Sequence, residues 1–162
     1  MKKLITSTFL CGLLITMFSC GSEKQPEATS NEQATTETPA SDNGAPSYDP
    51  NRGEGKFKDV QVGATLDATM AESGNKVADV KCTSCHKLTN EKLVGPGWQG
   101  VTTRRTPDWI MNFITNTDAM IDKDPAAQAQ LEICMVRMPN QSLSDDEARH
   151  ILEFMRKNDG VK

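Results

Sequence analysis

Cys82-Thr83-Ser84-Cys85-His86 places two thiols three positions apart with an imidazole directly behind them. Thiols at this spacing can add to the two vinyl groups of a porphyrin while the neighbouring imidazole meets the iron, so Cys-x-x-Cys-His is the attachment pattern of c-type haem. A Cys-x-x-Cys pair also serves zinc sites and thioredoxin-like redox centres. Zinc needs a second ligand pair, whereas the only other histidine is His150 and the remaining cysteines are isolated. A thioredoxin-like centre needs a βαβ setting, and no strand pattern borders the motif. The residues therefore favour one haem, covalent through Cys82 and Cys85, with His86 on the iron.

A thioether is a common second axial ligand opposite histidine. The chain has eight methionines, and their settings differ. In Met135-Val136-Arg137-Met138-Pro139 the proline ends any helix and pushes Met138 towards extended geometry, so its thioether projects from a loop. Met138 lies 52 positions beyond His86, enough to wrap the chain around one haem. Met138 is the first choice for the ligand, Met135 the second, and Met120 stands behind both.

An iron-bound histidine generally donates its other N–H to a carbonyl or carboxylate. Leu93-Val94-Gly95-Pro96-Gly97-Trp98-Gln99-Gly100 is a glycine-rich turn that can bring a carbonyl close, and the Pro96 carbonyl is the expected acceptor from His86. Trp98 either packs on the haem edge or fills the surface of the core. Arg104 and Arg105 are candidate partners for the haem propionates, whose carboxylates suit a planar guanidinium; the competing reading is two solvated arginines.

These groups need helices to hold them. A helix is expected within Asp67 to Lys81, with Leu66, Met70, Gly74, Val77 and Ala78 at helical spacing. Its cap is Asp67 or Ser73. Gly74 in a helix interior costs about 1 kcal/mol against alanine and suggests the close approach of another backbone, unless the helix starts there. Thr106-Pro107-Asp108 opens a second helix, whose buried face is Trp109, Ile110, Phe113 and Ile114. Asp124-Pro125 opens a third, through about Ile133. Ser144-Asp145-Asp146-Glu147 is a capping box that launches a last helix to about Asn158, stopped near Gly160. Ala148, Ile151, Leu152 and Met155 form its apolar stripe, with Phe154 at the border. His150, Asp146, Glu153 and Lys157 fall on its polar side, so His150 is a solvated residue rather than a ligand.

The ends of the chain set its address. Lys2 and Lys3 precede a mostly apolar Leu4 to Phe18, too short for a membrane span, and Met17-Phe18-Ser19-Cys20 resembles a lipobox. Residues 1–19 read as a signal peptide cleaved before Cys20, whose thiol takes lipid; the alternative is ordinary secretion. Residues 20–60 then form a lipidated N-terminus and a disordered tether, rich in Glu, Thr, Ser, Pro and Gln with almost nothing apolar to bury. A flexible coil of about 40 residues reaches roughly 35 Å. Residues 61–162 are the folded domain, small enough that a covalent haem would supply part of its core. Of the five cysteines, Cys134 is left over in an apolar run and reads as a buried, inert thiol. Loss of Lys2 and Lys3 moves the net charge from −4 to −6. Nucleic acid is excluded as a partner for so acidic a chain, and a partner protein should present a basic or apolar face.

Taken together, Cys82 to His86, Val94-Gly95-Pro96, Met138-Pro139-Asn140 and Leu143-Ser144-Asp145-Asp146-Glu147 resemble a class I cytochrome c domain of the small bacterial kind, over about residues 61–162. The resemblance implies an all-α fold in which the first and last helices cross at a close contact, Gly74 meeting the final helix near Ile151 and Phe154. Ala78 stands where the family often has an aromatic residue. The lipid anchor resembles that of membrane-tethered members that pass electrons to terminal reductases or oxidases. The expected protein is thus a monomeric outer-sphere electron carrier and not an enzyme. It would sit in the cell envelope facing the periplasm, on the inner or the outer membrane, with redox proteins as partners. Two alternatives are a haem-based gas or redox sensor in which Met138 dissociates, and peroxidase-like turnover at an iron opened in the same way.

Overall fold

The computed structural model describes residues 48–162. The signal peptide, Cys20 and the tether as far as residue 47 lie outside the described residues. Six helices follow in order: α1 (Ala68–Lys81), α2 (Val101–Arg104), α3 (Pro107–Thr115), α4 (Thr117–Lys123), α5 (Pro125–Cys134) and α6 (Asp145–Asn158). No strand occurs among the described residues, so the class is all-α. None of the helices in the described residues is long and apolar enough to cross a membrane.

Local chemistry explains where the helices begin. Asp67 accepts the Met70 N–H, Thr106 accepts the Trp109 N–H ahead of Pro107, and Asp124 accepts the Ala127 N–H ahead of Pro125. Ser144 and Glu147 complete a reciprocal capping box at α6. Two short helices go beyond the sequence expectation. α2 starts from Gly100, whose φ of 75° is left-handed. α4 is separated from α3 by a break at Asn116.

α1 and α6 pack against each other, α3 lies against α6, and α4 pairs with α5. The buried face of α1 is made of Ala71, Gly74 and Ala78, all small. A Cβ on Gly74 would run into the backbone of His150 and Ile151. α6 packs against this flat face, and its Ile151, Leu152 and Met155 are each nearly inaccessible. Burying such a side chain contributes about 1.5–3 kcal/mol.

Two expectations need correction. Glu153 is not on a solvated face: it is 1% exposed and accepts from Arg149 Nη1 (2.7 Å), Arg156 Nη1 (2.5 Å) and the Asp67 N–H (2.9 Å). A paired and fully hydrogen-bonded carboxylate is tolerated inside, and this one ties α6 to the start of α1. Burial pushes its pKa up, but Arg149, the Asp67 N–H and Arg156 outweigh burial, and the net shift is downward.

The tether does not run to residue 60, because residues 48–60 are strapped onto α3 and α4. The Asn112 side chain accepts the Phe57 N–H (2.9 Å) and donates to the carbonyls of Arg52 (2.9 Å) and Phe57 (3.0 Å). Asp108 accepts the N–H groups of Asp59 (3.0 Å) and Val60 (2.6 Å). Tyr48 donates to Asp124. The strap's backbone is satisfied by side chains of distant helices, a pattern with no period to read.

Gly74→Ala is expected to destabilise the fold by about 1–3 kcal/mol or more, read as a lower midpoint in chemical denaturation. Glu153→Gln tests the buried pair through pH. A carboxylate with a depressed folded pKa contributes stability above its unfolded pKa and loses it as pH falls through the folded value. The stability gap between wild type and Glu153→Gln should therefore be widest near neutrality and close on acidification.

Candidate haem-binding site

The Cys-x-x-Cys-His segment is the turn that ends α1. The Cys82 N–H still donates to Ala78 (2.8 Å), and the Cys82 carbonyl then accepts from both Cys85 and His86 (3.0 Å each). The following loop is stitched back onto this turn. The Gly95 N–H donates to the Cys85 carbonyl (2.9 Å) and the Trp98 N–H to the Lys87 carbonyl (2.9 Å). Glycine is needed twice: a Cβ on Gly95 would overlap the His86 imidazole, and one on Gly97 would overlap the Thr89 carbonyl.

His86 Nδ1 lies 2.8 Å from the Pro96 carbonyl, the acceptor expected for it. A carbonyl can only accept, so Nδ1 carries the proton and Nε2 keeps its lone pair. Burial lowers the His86 pKa, with the Pro96 carbonyl offsetting part of the effect. A neutral imidazole with a free Nε2 is the form that binds metal. Trp98 flanks it at 5.7 Å between ring centroids and meets Phe154 of α6 edge-on at 6.3 Å.

Cys82, Cys85 and His86 line a slot whose other walls are mostly apolar and include Trp109, Ile110, Ile114, Ile121, Leu131 and Met155. Arg104 and Arg105 line it as well. Arg104 Nη1 donates to the Gln99 carbonyl at 2.7 Å, and the Arg105 guanidinium lies over the Trp109 ring at 4.5 Å. Arg105 is half-buried at the slot, while Arg104 borders it from an exposed position.

The methionines separate clearly. Met138 lines the slot from the loop after α5 and packs against the core. Met155 lines it from the buried stripe of α6. Met135 caps α5 in a left-handed conformation, φ 57°, is 83% exposed and takes no part in the slot walls. Met120 is wholly buried away from the slot, its sulfur accepting the Glu54 N–H. Cys134 departs from the expected inert burial: it is half-buried and lines the slot, because α5 carries its apolar run along the slot instead of into the interior.

The residues fit a covalently held haem. Two free thiols and an imidazole oriented by its second nitrogen line the same slot, and aliphatic and aromatic side chains supply most of the rest. Neither competing use of the cysteines is supported. Burial pushes the Cys82 thiol up to about 11, the reverse of the lowered pKa of a disulfide-exchange centre. No group of three or more His, Cys, Asp or Glu suited to a metal ion occurs among the described residues.

The sequence marked Trp109, Ile110, Phe113 and Ile114 as a buried face without revealing that this face is the slot wall. It also missed Asp159, which accepts the N–H groups of Gly100 (2.5 Å) and Thr102 (2.8 Å) and the Thr102 hydroxyl (2.6 Å), fixing the segment that carries Arg104 and Arg105 to the end of α6. An aspartate before a terminal glycine reads only as a helix stop; its partner is far away in the chain.

The cytochrome c family model matches residues 71–159. Among solved structures, the chain is similar to a cytochrome c from Rhodothermus marinus at 35% identity, over 65% of this chain and 90% of that one, with a TM-score of 0.63. An engineered form of that cytochrome matches at 34% identity and the same coverages, with a TM-score of 0.62. A second structure of the engineered form, bound to a carbene intermediate, matches at 34% identity, with the same coverages and a TM-score of 0.59. No curated protein matches the chain.

Gly95→Ala is expected to displace the His86 ring, because the added methyl has nowhere else to go. The protein should then show a weakened or lost low-spin haem spectrum while the covalent attachment, read by haem stain after denaturing electrophoresis, survives.

Proposed function

The chain belongs to the cytochrome c family, and from that premise we propose that it is a lipid-anchored, single-haem electron carrier working between redox proteins of the cell envelope. Family membership makes it a haem-based electron carrier with haem c covalently attached. The membrane tether, the axial ligand pair and the partners are the further content of the proposal. Bound haem c supplies a one-electron iron couple.

The chain's own residues do the rest. Cys82 and Cys85 would hold the group by thioether bonds, and His86 would offer Nε2 because Pro96 holds the proton on Nδ1. Met138, the methionine that a loop brings to the slot, would supply the second iron ligand. Ligation by both residues would leave no open position for a substrate, and Trp98, Trp109 and Ile110 are buried side chains of the slot wall. The observation that carries the proposal is the His86 to Pro96 hydrogen bond, which orients an imidazole beside two free thiols in a mostly apolar slot.

Cys20 would anchor the chain through lipid, and residues 21–47 would give the domain reach on the periplasmic side, on either membrane. The mature charge of −6 favours partners with a basic or apolar docking face.

Met138→Ala should abolish the methionine-to-ferric-iron charge-transfer absorption and admit exogenous ligands, whereas Met135→Ala should leave the spectrum intact. Retention of that absorption in Met138→Ala would overturn the axial assignment. Wild-type reduced protein should ignore carbon monoxide at neutral pH; ready binding would favour the sensor.

A further inference from the structure

Asp124 is 1% exposed and one side chain away from the slot. Its Oδ2 accepts from Trp109 Nε1 (2.9 Å) and from the Tyr48 hydroxyl, and its Oδ1 accepts the Ala127 N–H at 2.7 Å. Trp109 and Ala127 both line the slot, as does Arg105, whose guanidinium stacks on the Trp109 ring. Asp124 therefore does more than cap α5. It is a carboxylate enclosed behind the slot wall and joined to that wall through an indole.

Its charge state follows from its partners. Burial raises the Asp124 pKa, but Tyr48, Trp109, the Ala127 N–H and the charge of Arg105 outweigh burial, and the net shift is downward. The group is an anion at neutral pH. In a poorly polarisable interior a fixed anion acts over several ångströms with little screening. Reduction adds one negative charge to the iron centre, so a neighbouring anion disfavours the reduced form. Tyr48 opposes part of that effect, because its hydroxyl dipole points its positive end at the carboxylate. Tyr48 comes from the strap at residues 48–60, a segment with no other part in the site.

We propose that Asp124 is a tuning residue of the electron-transfer site: its buried carboxylate, coupled to the slot through Trp109, lowers the reduction potential of the haem, and Tyr48 limits by how much. The inference rests on the electron-carrier function proposed above. Asp124 and Tyr48 are positioning residues that act through Trp109 and through space.

The test is a spectroelectrochemical titration of the full-length, haem-loaded protein. Asp124→Asn should raise the midpoint potential while the low-spin spectrum and haem content stay as in wild type. The rise should persist at high ionic strength because the site is enclosed, whereas any change from Asp118→Asn, at an exposed acid, should fade with salt. Equal midpoints for a spectrally intact Asp124→Asn and wild type overturn the tuning role. Where Asp124→Asn does not accumulate with haem, Tyr48→Phe decides: it keeps the charge and deletes one compensating dipole, so a lower midpoint supports the role and an unchanged one overturns it. A wild type that fails to cycle reversibly by one electron overturns the carrier function and the tuning with it. A cycling wild type matched by its variants overturns the tuning alone.

Discussion

The carbonyl of His150 occupies the space where a side chain on Gly74 would stand, and the rest of the domain is arranged by that contact. Glycine inside α1 costs about 1 kcal/mol in helix propensity. The approach it permits buries Ile151 and Leu152 to 1% exposure, each contributing about 1.5–3 kcal/mol, so packing outweighs propensity. Two polar ties hold the crossing: Lys81 to Glu147 at 3.0 Å, and Glu153 to the Asp67 N–H at 2.9 Å. With α1 fixed against α6, its C-terminal turn delivers Cys82, Cys85 and His86 to a set place. Phe154 and Met155, on the same stretch of α6, meet Trp98 and the slot.

What could be read in the sequence was chemistry carried by neighbours in the chain. Caps at Thr106, Asp124 and Ser144 are local hydrogen bonds and are in place, and at α1, where Asp67 and Ser73 both suited the role, Asp67 takes it. The attachment turn and the glycines that fold Pro96 back towards His86 span only a few residues, so spacing alone conveys them. What could not be read depends on partners far apart. Glu153 looked solvated because helical periodicity cannot see that Arg149, Arg156 and the start of α1 enclose it. Residues 48–60 looked like tether because their composition is polar; Asn112, Asp108 and Asp124, some 50 to 76 positions away, supply the bonds that order them. Cys134 looked buried because its neighbours are apolar, but an apolar run can face a slot as well as a core.

That last distinction has a physical consequence. In a domain of roughly a hundred residues one layer of core is marginal, and here the same side chains serve both core and slot. Cys82, Trp98, Trp109, Ile110, Ile151 and Met155 belong to the hydrophobic cluster and also line the slot. A group that fills the slot therefore completes the core, and whatever binds only the folded chain stabilises it. Covalent attachment strengthens this coupling, because a ligand tied at Cys82 and Cys85 stays at high effective concentration even when the fold opens. Both attachment points stand directly beyond the last turn of α1, the helix clamped by α6. A prosthetic group held there would therefore be tied to the helix whose position the α1–α6 crossing fixes, and loosening that crossing should loosen the slot.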